Sequence, residues 1–179
     1  MNAQIHSFRP GADSHQLHVV GRAEPGRVYA IPLPTTPLLT GALPYVDWSD
    51  AYAVFTPSGA PRRDPQEWAD AIFHGPPLWI RALFGLREVM VRLIGIERGG
   101  SHVFATVDRR LDEILVGTHQ RHLGFRASVL VEPDRVVLST VVQLHSRRGR
   151  AYSALVRRIH PFVVRGMLSR AVQKMGAAS

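Results

Sequence analysis

The chain has 179 residues, no cysteine and a formal net charge of +8, and its apolar content of 45% is ordinary for a globular protein. This length suits one domain with a substantial core. The lack of cysteine excludes disulfides, thiol chemistry and thiolate metal sites, and no apolar run approaches the roughly 20 residues of a membrane-spanning helix. Because the N-terminus also lacks a signal-peptide pattern, we expect a cytoplasmic protein.

Residues 1–46 predict an irregular, proline-rich arm. They contain six of the 13 prolines, and the run Ile31–Pro37 favours an extended, polyproline-like backbone. The pattern leaves open a short strand over His18–Val20 or a disordered arm, although the apolar residues of Val28–Ile31 argue against full disorder. We expect the arm to pack along a single domain that covers residues 47–175.

The next segment predicts one strand followed by two helices. The alternation over Asp47–Thr56 indicates a strand with Trp48 and Tyr52 on the same face. A first helix begins at Asp64–Glu67, with Asp as the cap, Pro at the first position and Glu at the third, and it runs to about residue 73. A second helix follows Gly75-Pro76-Pro77 and runs to about residue 94.

Two short strands are predicted next, over Val103–Val107 and Glu113–Val116. Between and beside them stand Asp108, Asp112 and Glu113. On a turn between short strands, such an acidic cluster indicates a solvated loop, and it does not pair two carboxylates for acid–base work.

The most informative stretch is a predicted hairpin, in which His122–Glu132 and Arg135–Ser146 are strands joined by Pro133-Asp134. If the loop is those two residues, Phe125 faces Val142 and one face is nearly all apolar. A one-residue slip would mix the two faces, so this register is favoured. It predicts a sheet with one core face, formed by Leu123, Phe125, Ala127, Val129, Val131, Val136, Leu138, Thr140, Val142 and Leu144.

The C-terminal segment predicts a long helix over about residues 150–174. Its apolar stripe has helical spacing and continues beyond Pro161, so we expect a kink there rather than an end. Residues 147–179 hold eight basic side chains and no acidic one, and the 14 basic and 14 acidic residues of the remaining chain cancel. The whole excess charge therefore lies on this helix.

Together these elements predict an α+β fold, in which an antiparallel sheet of about five strands grips a long C-terminal helix and two helices follow the first strand. Four segments resemble a bacterial family called domain of unknown function 2867, over about residues 45–172: Asp47–Phe55, Asp64–Trp68, His122–Arg126 and His145–Tyr152. That family is similar to START-like helix-grip proteins and has no agreed activity, so the resemblance implies a fold but no site residue. The family pattern has Pro-Phe-His in the last helix, where this chain has His160-Pro161-Phe162.

The function that we expect first is non-catalytic binding of an apolar, lipid-like or polyketide-like molecule between the sheet and the C-terminal helix. The tyrosine hydroxyl among the lining residues would orient one polar group of the ligand. The alternative is that these side chains fill the space. The predicted lining residues are Trp79, Phe125, Val129, Leu138, Val142, Tyr152, Val156 and Ile159.

A second candidate is an anion site on the other face of the hairpin, where His122 and His145 would face each other with Arg126 two residues along. The competing interpretation is an arginine on a solvated or dimerising sheet face. We expect no metal and no other cofactor, because the site lacks an evident third ligand. His119 and His122, three apart on a continuous strand, would point to opposite faces.

Two further functions remain open from the sequence. An interaction module would use Arg150, Arg157, Arg158 and Arg165 to contact a partner protein or an anionic surface, without specific nucleic-acid binding. A cyclase- or hydratase-like enzyme would need polar groups inside the cavity. Tyr152 and Asp50 are the plausible ones, so we lean away from catalysis.

Overall fold

The computed structural model describes residues 24, 26–57, 59–82, 104–119 and 123–176, with the side chains of Arg148 and Tyr152 excepted. In this part of the chain, one antiparallel sheet of six strands packs against helices in an α+β fold. The strands are β1 (Val28–Ile31), β2 (Trp48–Phe55), β3 (Thr106–Arg109), β4 (Glu113–His119), β5 (Leu123–Val131) and β6 (Arg135–Leu144). Their order across the sheet is β1-β2-β6-β5-β4-β3.

The predicted hairpin register is confirmed. β5 pairs with β6 from Leu123 opposite Leu144 to Val131 opposite Val136, and Phe125 faces Val142. The alternating apolar pattern fixed this register, because a slip would have moved the apolar set to the other face. The hairpin stands at the centre of the sheet, with β2 beside β6 and β4 beside β5.

The predicted number of strands was about five, and the difference is β1. This strand pairs with β2 from Val28 opposite Val54 to Ile31 opposite Ala51. Four residues are too few to show an alternating pattern, and prolines follow them directly. β4 also continues to His119, three residues beyond its predicted end. The predictions over His18–Val20 and the second helix beyond residue 82 lie outside the described residues.

The helices follow their predicted signals. The first, α1 (Pro65–Phe73), begins as expected, because the Asp64 carboxylate accepts a hydrogen bond from the Gln66 amide and Pro65 occupies the first turn. The second, α2 (Arg147–Gly176), continues through Pro161 as predicted. Residues 78–82 are also helical.

The apolar side of the sheet forms the core with α1 and α2. Val129, Leu138 and Val54 point into it from the strands and are almost fully buried, and Ile72 and Leu168 meet them from the two helices. The predicted core face of the hairpin is thus confirmed as the side that the helices cover. We call it the helix-side face. Its one polar residue, Thr140, is buried there as well.

The expectation of a single core face is wrong, because the opposite face is buried too. Residues 32–47 connect β1 to β2 along the chain and lie across that face. We call this segment the strap. Leu38 and Leu43 of the strap are buried, and so are Ser128, Ser139 and Gln143 of the sheet. The proline-rich arm therefore supplies the second layer on what we call the strap-side face. The boundary between an arm over 1–46 and a domain over 47–175 stays a prediction.

Candidate functional site

A cleft of about 380 Å³ opens where the C-terminal end of α2 leaves the sheet. Its walls are the loop before α1, the β5–β6 turn and the last turn of α2. α2 ends near the β5–β6 turn, and the loop before α1 is rich in proline and glycine. The side chains of these three segments do not fill the corner between them. Its lining includes Ala60, Trp68, Val131, Pro133, Val172 and Met175.

Polar groups hold the walls of this cleft together. Arg62 Nη2 donates to the carbonyl oxygen of Val131 at 3.1 Å, and Arg63 Nη2 donates to that of Met175 at 3.0 Å. Glu132, also in the lining, forms a hydrogen-bonded ion pair with Arg135, and this bond is the main cause of the raised pKa of Arg135. The cleft thus has an apolar floor and arginine side chains in its walls.

The eight residues predicted to line a pocket lie apart from this cleft. Val129, Leu138 and Val142 are buried. Phe125 is half-buried and meets the Phe104 ring edge-on at 5.8 Å between centroids. The Tyr152 side chain lies outside the described part of the structure. The predicted pocket between these residues, on the sheet and on the C-terminal helix, stays a prediction.

The other three predicted lining residues, Val156, Ile159 and Trp79, are more exposed than the buried strand residues. Val156 is half-buried, while Ile159 is 38% and Trp79 46% exposed. Trp79 also packs closely on α2, since a methyl group added at Gly166 would lie 2.7 Å from its ring. This glycine lets the start of the second helical segment approach α2.

A polar group also sits between α2 and β2. His160 Nδ1 lies 2.8 Å from Asp50 Oδ2, and the two side chains are 19% and 23% exposed. Next to this pair, the indole nitrogen of Trp48 donates to Ser153 Oγ at 2.7 Å, and the Trp48 ring meets His160 edge-on. Asp50 and His160 are 110 residues apart, so no local pattern could have predicted their contact.

Asp50 and Tyr52 follow each other on the helix-side face of β2. Tyr52 is buried, and burial, followed by the charge of Asp50, raises the pKa of its hydroxyl, while Arg165 over the ring opposes this shift. Asp50 Oδ1 is buried without a hydrogen-bond partner among the described residues. Asp50 is therefore a predicted polar residue that contacts another ionisable group, the His160 imidazole, and its charge also acts on the Tyr52 hydroxyl.

Two residues of the predicted anion site, Arg126 and His145, lie on the strap-side face. Arg126 projects from this face, and its Nη1 donates to the carbonyl oxygens of Thr118 at 3.0 Å and Phe125 at 2.9 Å. Its Nε is buried without a partner among the described residues, and burial lowers its pKa. His145 lies at the end of the same face, and His122 lies outside the described residues.

His119 lies beside His145 on the strap-side face. The His119 and His145 rings lie 4.9 Å apart, tilted by 55°. β4 ends at His119 and β5 begins at Leu123, and His122 lies outside the described residues, so the predicted orientation of His119 relative to His122 stays a prediction. Extending the alternation of β4 by three residues would have placed His119 on this face.

The acidic cluster beside β4 also differs from its prediction. Asp108 and Asp112 are exposed, but Glu113 is 1% exposed and lies on the strap-side face. Thr36 Oγ1 donates to its carboxylate at 2.7 Å, and Ser128 Oγ donates to the same oxygen. Glu113 therefore ties the strap to the sheet rather than standing in a solvated loop.

The basic side of α2 faces solvent. Phe162 is 65% exposed and Leu155 44% exposed between its arginines. Arg157 lies over the Trp48 ring, with its guanidinium carbon 5.7 Å from the centroid. Every basic side chain that the structure describes on this helix is exposed: Arg147, Arg150, Arg157, Arg158, Arg165, Arg170 and Lys174.

Within the described ranges, no three histidine or acidic side chains come together as metal ligands, and no helix is long and apolar enough to cross a membrane. A family model described as a protein of unknown function (DUF2867) matches residues 42–167, well over half of the chain. No curated protein and no solved structure matches the chain.

Proposed function

Since the chain belongs to the DUF2867 family, whose description assigns no function, we propose from the geometry that it binds an apolar small molecule without catalysis, in the cleft between the β5–β6 turn and the end of α2. The observation that carries this proposal is the cleft itself. Its volume of about 380 Å³ falls within the usual range for small-molecule sites, and its lining is mainly apolar. A lipid-like or polyketide-like ligand suits these walls.

The architecture supports the same proposal. In a helix-grip fold the terminal helix and the sheet diverge at one end, and the space between them is where a ligand is expected. This chain has such a space at the C-terminal end of α2, bounded by Val172 and Met175 on the helix and Val131 on the sheet. Placing the chain among START-like helix-grip proteins is part of the proposal.

The arginine side chains indicate which apolar ligands fit best. Arg62 is held beside the cleft by its bond to the Val131 carbonyl, and a guanidinium has five N–H donors in all. Glu132 is paired with Arg135, so its charge is partly neutralised. A ligand with an apolar body and one carboxylate or carbonyl at its end would suit both the apolar floor of the cleft and the arginine side chains in its walls.

The test is native mass spectrometry of the purified protein, followed by a thermal-shift screen of fatty acids and aromatic polyketides. A ligand at 100 times its dissociation constant stabilises the folded state by about 2.7 kcal/mol, so a true ligand gives a clear rise in melting temperature. Ala60→Trp fills the cleft from an exposed position on its rim and should abolish the shift.

The matched control is Ala154→Trp, which adds the same side chain at an exposed position in the first half of α2. This variant should bind like the wild type. If no apolar compound co-purifies or shifts the melting temperature, or if Ala60→Trp binds normally, the cleft is not a ligand site.

A second candidate function is contact with an anionic surface through α2. Its supporting observation is the exposure of Phe162 and Leu155 among arginines on a helix without acidic residues, since basic and apolar side chains together favour anionic lipid interfaces. A partner protein with an acidic groove would make similar contacts.

Co-sedimentation with phosphatidylserine vesicles at low and high salt distinguishes these cases. Phe162→Gln and Arg158→Glu should each reduce vesicle binding, and high salt should abolish it because the charges are screened. Arg110→Glu, at an exposed position outside α2, is the control for net charge. Absence of binding at low salt rules the surface contact out.

A further inference from the structure

We infer that the solvent side of α2 is a docking site for an acidic amphipathic helix of a partner protein. The site is a row of three exposed apolar side chains, Leu155, Ile159 and Phe162, which we call the outer row. Arg158 and Arg165 flank this row on one side. The inference rests on the second candidate function, contact through α2, and selects one kind of partner for it.

The outer row faces away from the core. All three of its side chains are exposed, and Phe162 is the most exposed of them. Residues two apart lie on nearly opposite sides of a helix, and Ser153 and Val164, each two residues from a member of the row, are buried. The solvent side of a surface helix normally carries polar residues. Three large apolar side chains in line on that side therefore indicate a surface that another molecule covers.

The spacing of the outer row selects a helix as the occupant. Ile159 follows Leu155 by four residues and Phe162 follows Ile159 by three, which is the spacing of the seam of a coiled coil. A stripe confined to these positions is narrower than the apolar face of a helix that packs broadly on a core. It matches the width of a single partner helix, whereas a lipid surface requires no such register.

The same line of positions already packs against a helical segment of this chain at Gly166, four residues after the last member of the outer row. Residues 78–82 are helical, and a methyl group added at Gly166 would lie 2.7 Å from the Trp79 ring and 3.4 Å from Ile80 Cδ1. Trp79 and its neighbour Leu78 are themselves exposed, so they extend the apolar surface of the outer row. A partner helix on the row would meet these two side chains at one end.

Charge determines which helix fits. Arg158 and Arg165 are seven residues apart and occupy equivalent places beside the outer row, where coiled coils form interhelical ion pairs. Both are exposed, and neither forms an ion pair with a carboxylate of the described residues. Residues 147–179 hold no acidic side chain, so the α2 helix of a second copy could not supply the opposite charges. A helix with acidic residues beside its own apolar row supplies them.

The experiment measures binding of three labelled synthetic peptides, each of about three heptads, to the full chain by fluorescence anisotropy. The acidic peptide has leucine at the seam positions and glutamate at the flanking positions. The basic peptide has lysine in place of glutamate, and the third peptide is a scrambled form of the acidic one. We expect saturable binding of the acidic peptide and about tenfold weaker binding of the other two. The scrambled peptide lacks the seam, and the basic peptide is repelled by the arginines.

Variants at exposed positions test the apolar and the charged part of the site at physiological ionic strength. Phe162→Gln and Ile159→Gln should each weaken binding of the acidic peptide about tenfold, because each removes apolar area that the complex buries. Arg158→Glu should weaken binding of the acidic peptide and strengthen that of the basic peptide, each by about two- to fivefold. The matched controls are Ala154→Gln and Arg150→Glu, at exposed positions of α2 outside the row and its flank, and they should bind like the wild type. Circular dichroism checks that each variant is folded.

Several results would overturn the inference, and they differ in what they leave standing. Equal binding of the acidic and the scrambled peptide would show that the outer row is not a helix seam. Binding of phosphatidylserine vesicles without binding of the acidic peptide would assign α2 to a lipid surface, so the second candidate function would stand and this inference would fail. Binding of neither would end both. A dimer in size-exclusion chromatography that Phe162→Gln dissociates would make a second copy of the chain the occupant instead.

Discussion

The two faces of the central hairpin share one register but differ in chemistry. On the helix-side face, Val129 opposite Leu138 is typical, and the contacts there are mainly apolar packing. On the strap-side face, Ser128 stands opposite Ser139, both buried, and Glu113 accepts bonds from Ser128 and from the strap. One face needs close packing, whereas the other needs a partner for each polar group. Among the described residues, Arg126 Nε, Ser139 Oγ and Gln143 Oε1 remain buried on the strap-side face without a hydrogen-bond partner.

The largest effect should come from the helix-side face. Leu138 is 2% exposed and packs in the core, so Leu138→Ala should destabilise the fold by about 2–5 kcal/mol through lost burial and the cavity left behind. Urea denaturation measures this as a lower midpoint at an unchanged slope. A loss below about 1 kcal/mol would mean that the core relaxes around the cavity, and the contrast between the faces would weaken.

An intermediate effect should come from the strap-side face. Glu113→Ala removes the acceptor of the Thr36 and Ser128 hydroxyls and should cost about 1–3 kcal/mol. Thr36→Val keeps the bond from Ser128 to Glu113 and should cost less, although it also removes the Thr36 hydroxyl as the acceptor of the Leu39 amide at 3.1 Å. Hydrogen exchange should then increase in the strap, for example at the Thr40 amide, which bonds to the Thr36 carbonyl. Equal protection in wild type and Thr36→Val would show that Glu113 does not fix the strap.

The helix-side face could be predicted from sequence because its signal is local. Alternating apolar residues within a hairpin, together with Pro133-Asp134 at the turn, determine the register and the core face. The cap of α1 was predictable for the same reason, since Asp64, Pro65 and Glu67 lie within one turn.

The strap-side face could not be predicted in the same way. Its cover is a proline-rich segment without periodicity. Its hairpin residues mix serine, arginine and glutamine with Leu130, Val137 and Val141, and such a mixed pattern does not identify a buried face. The burial of Glu113 depends on Thr36, which is 77 residues away in sequence. The cleft depends on where α2 ends relative to the β5–β6 turn, and a helical stripe does not fix that position.

The smallest effect concerns Tyr52, an ionisable residue beside Asp50 on the mainly apolar helix-side face. Burial, with a further contribution from Asp50, raises its pKa above the ordinary 10.0. Since the folded pKa exceeds the unfolded one, the stability that this group contributes is fully present below pH 10.0 and is lost as the pH rises through the folded pKa. Unfolding in urea across this alkaline range should therefore show a smaller loss of stability for Tyr52→Phe than for the wild type. Arg165→Gln should raise the pKa further, because Arg165 opposes the shift. The chain has four tyrosines, so the tyrosinate absorbance of Tyr52 is the difference between the wild type and Tyr52→Phe. A difference that appears at or below the ordinary pKa would contradict this assignment.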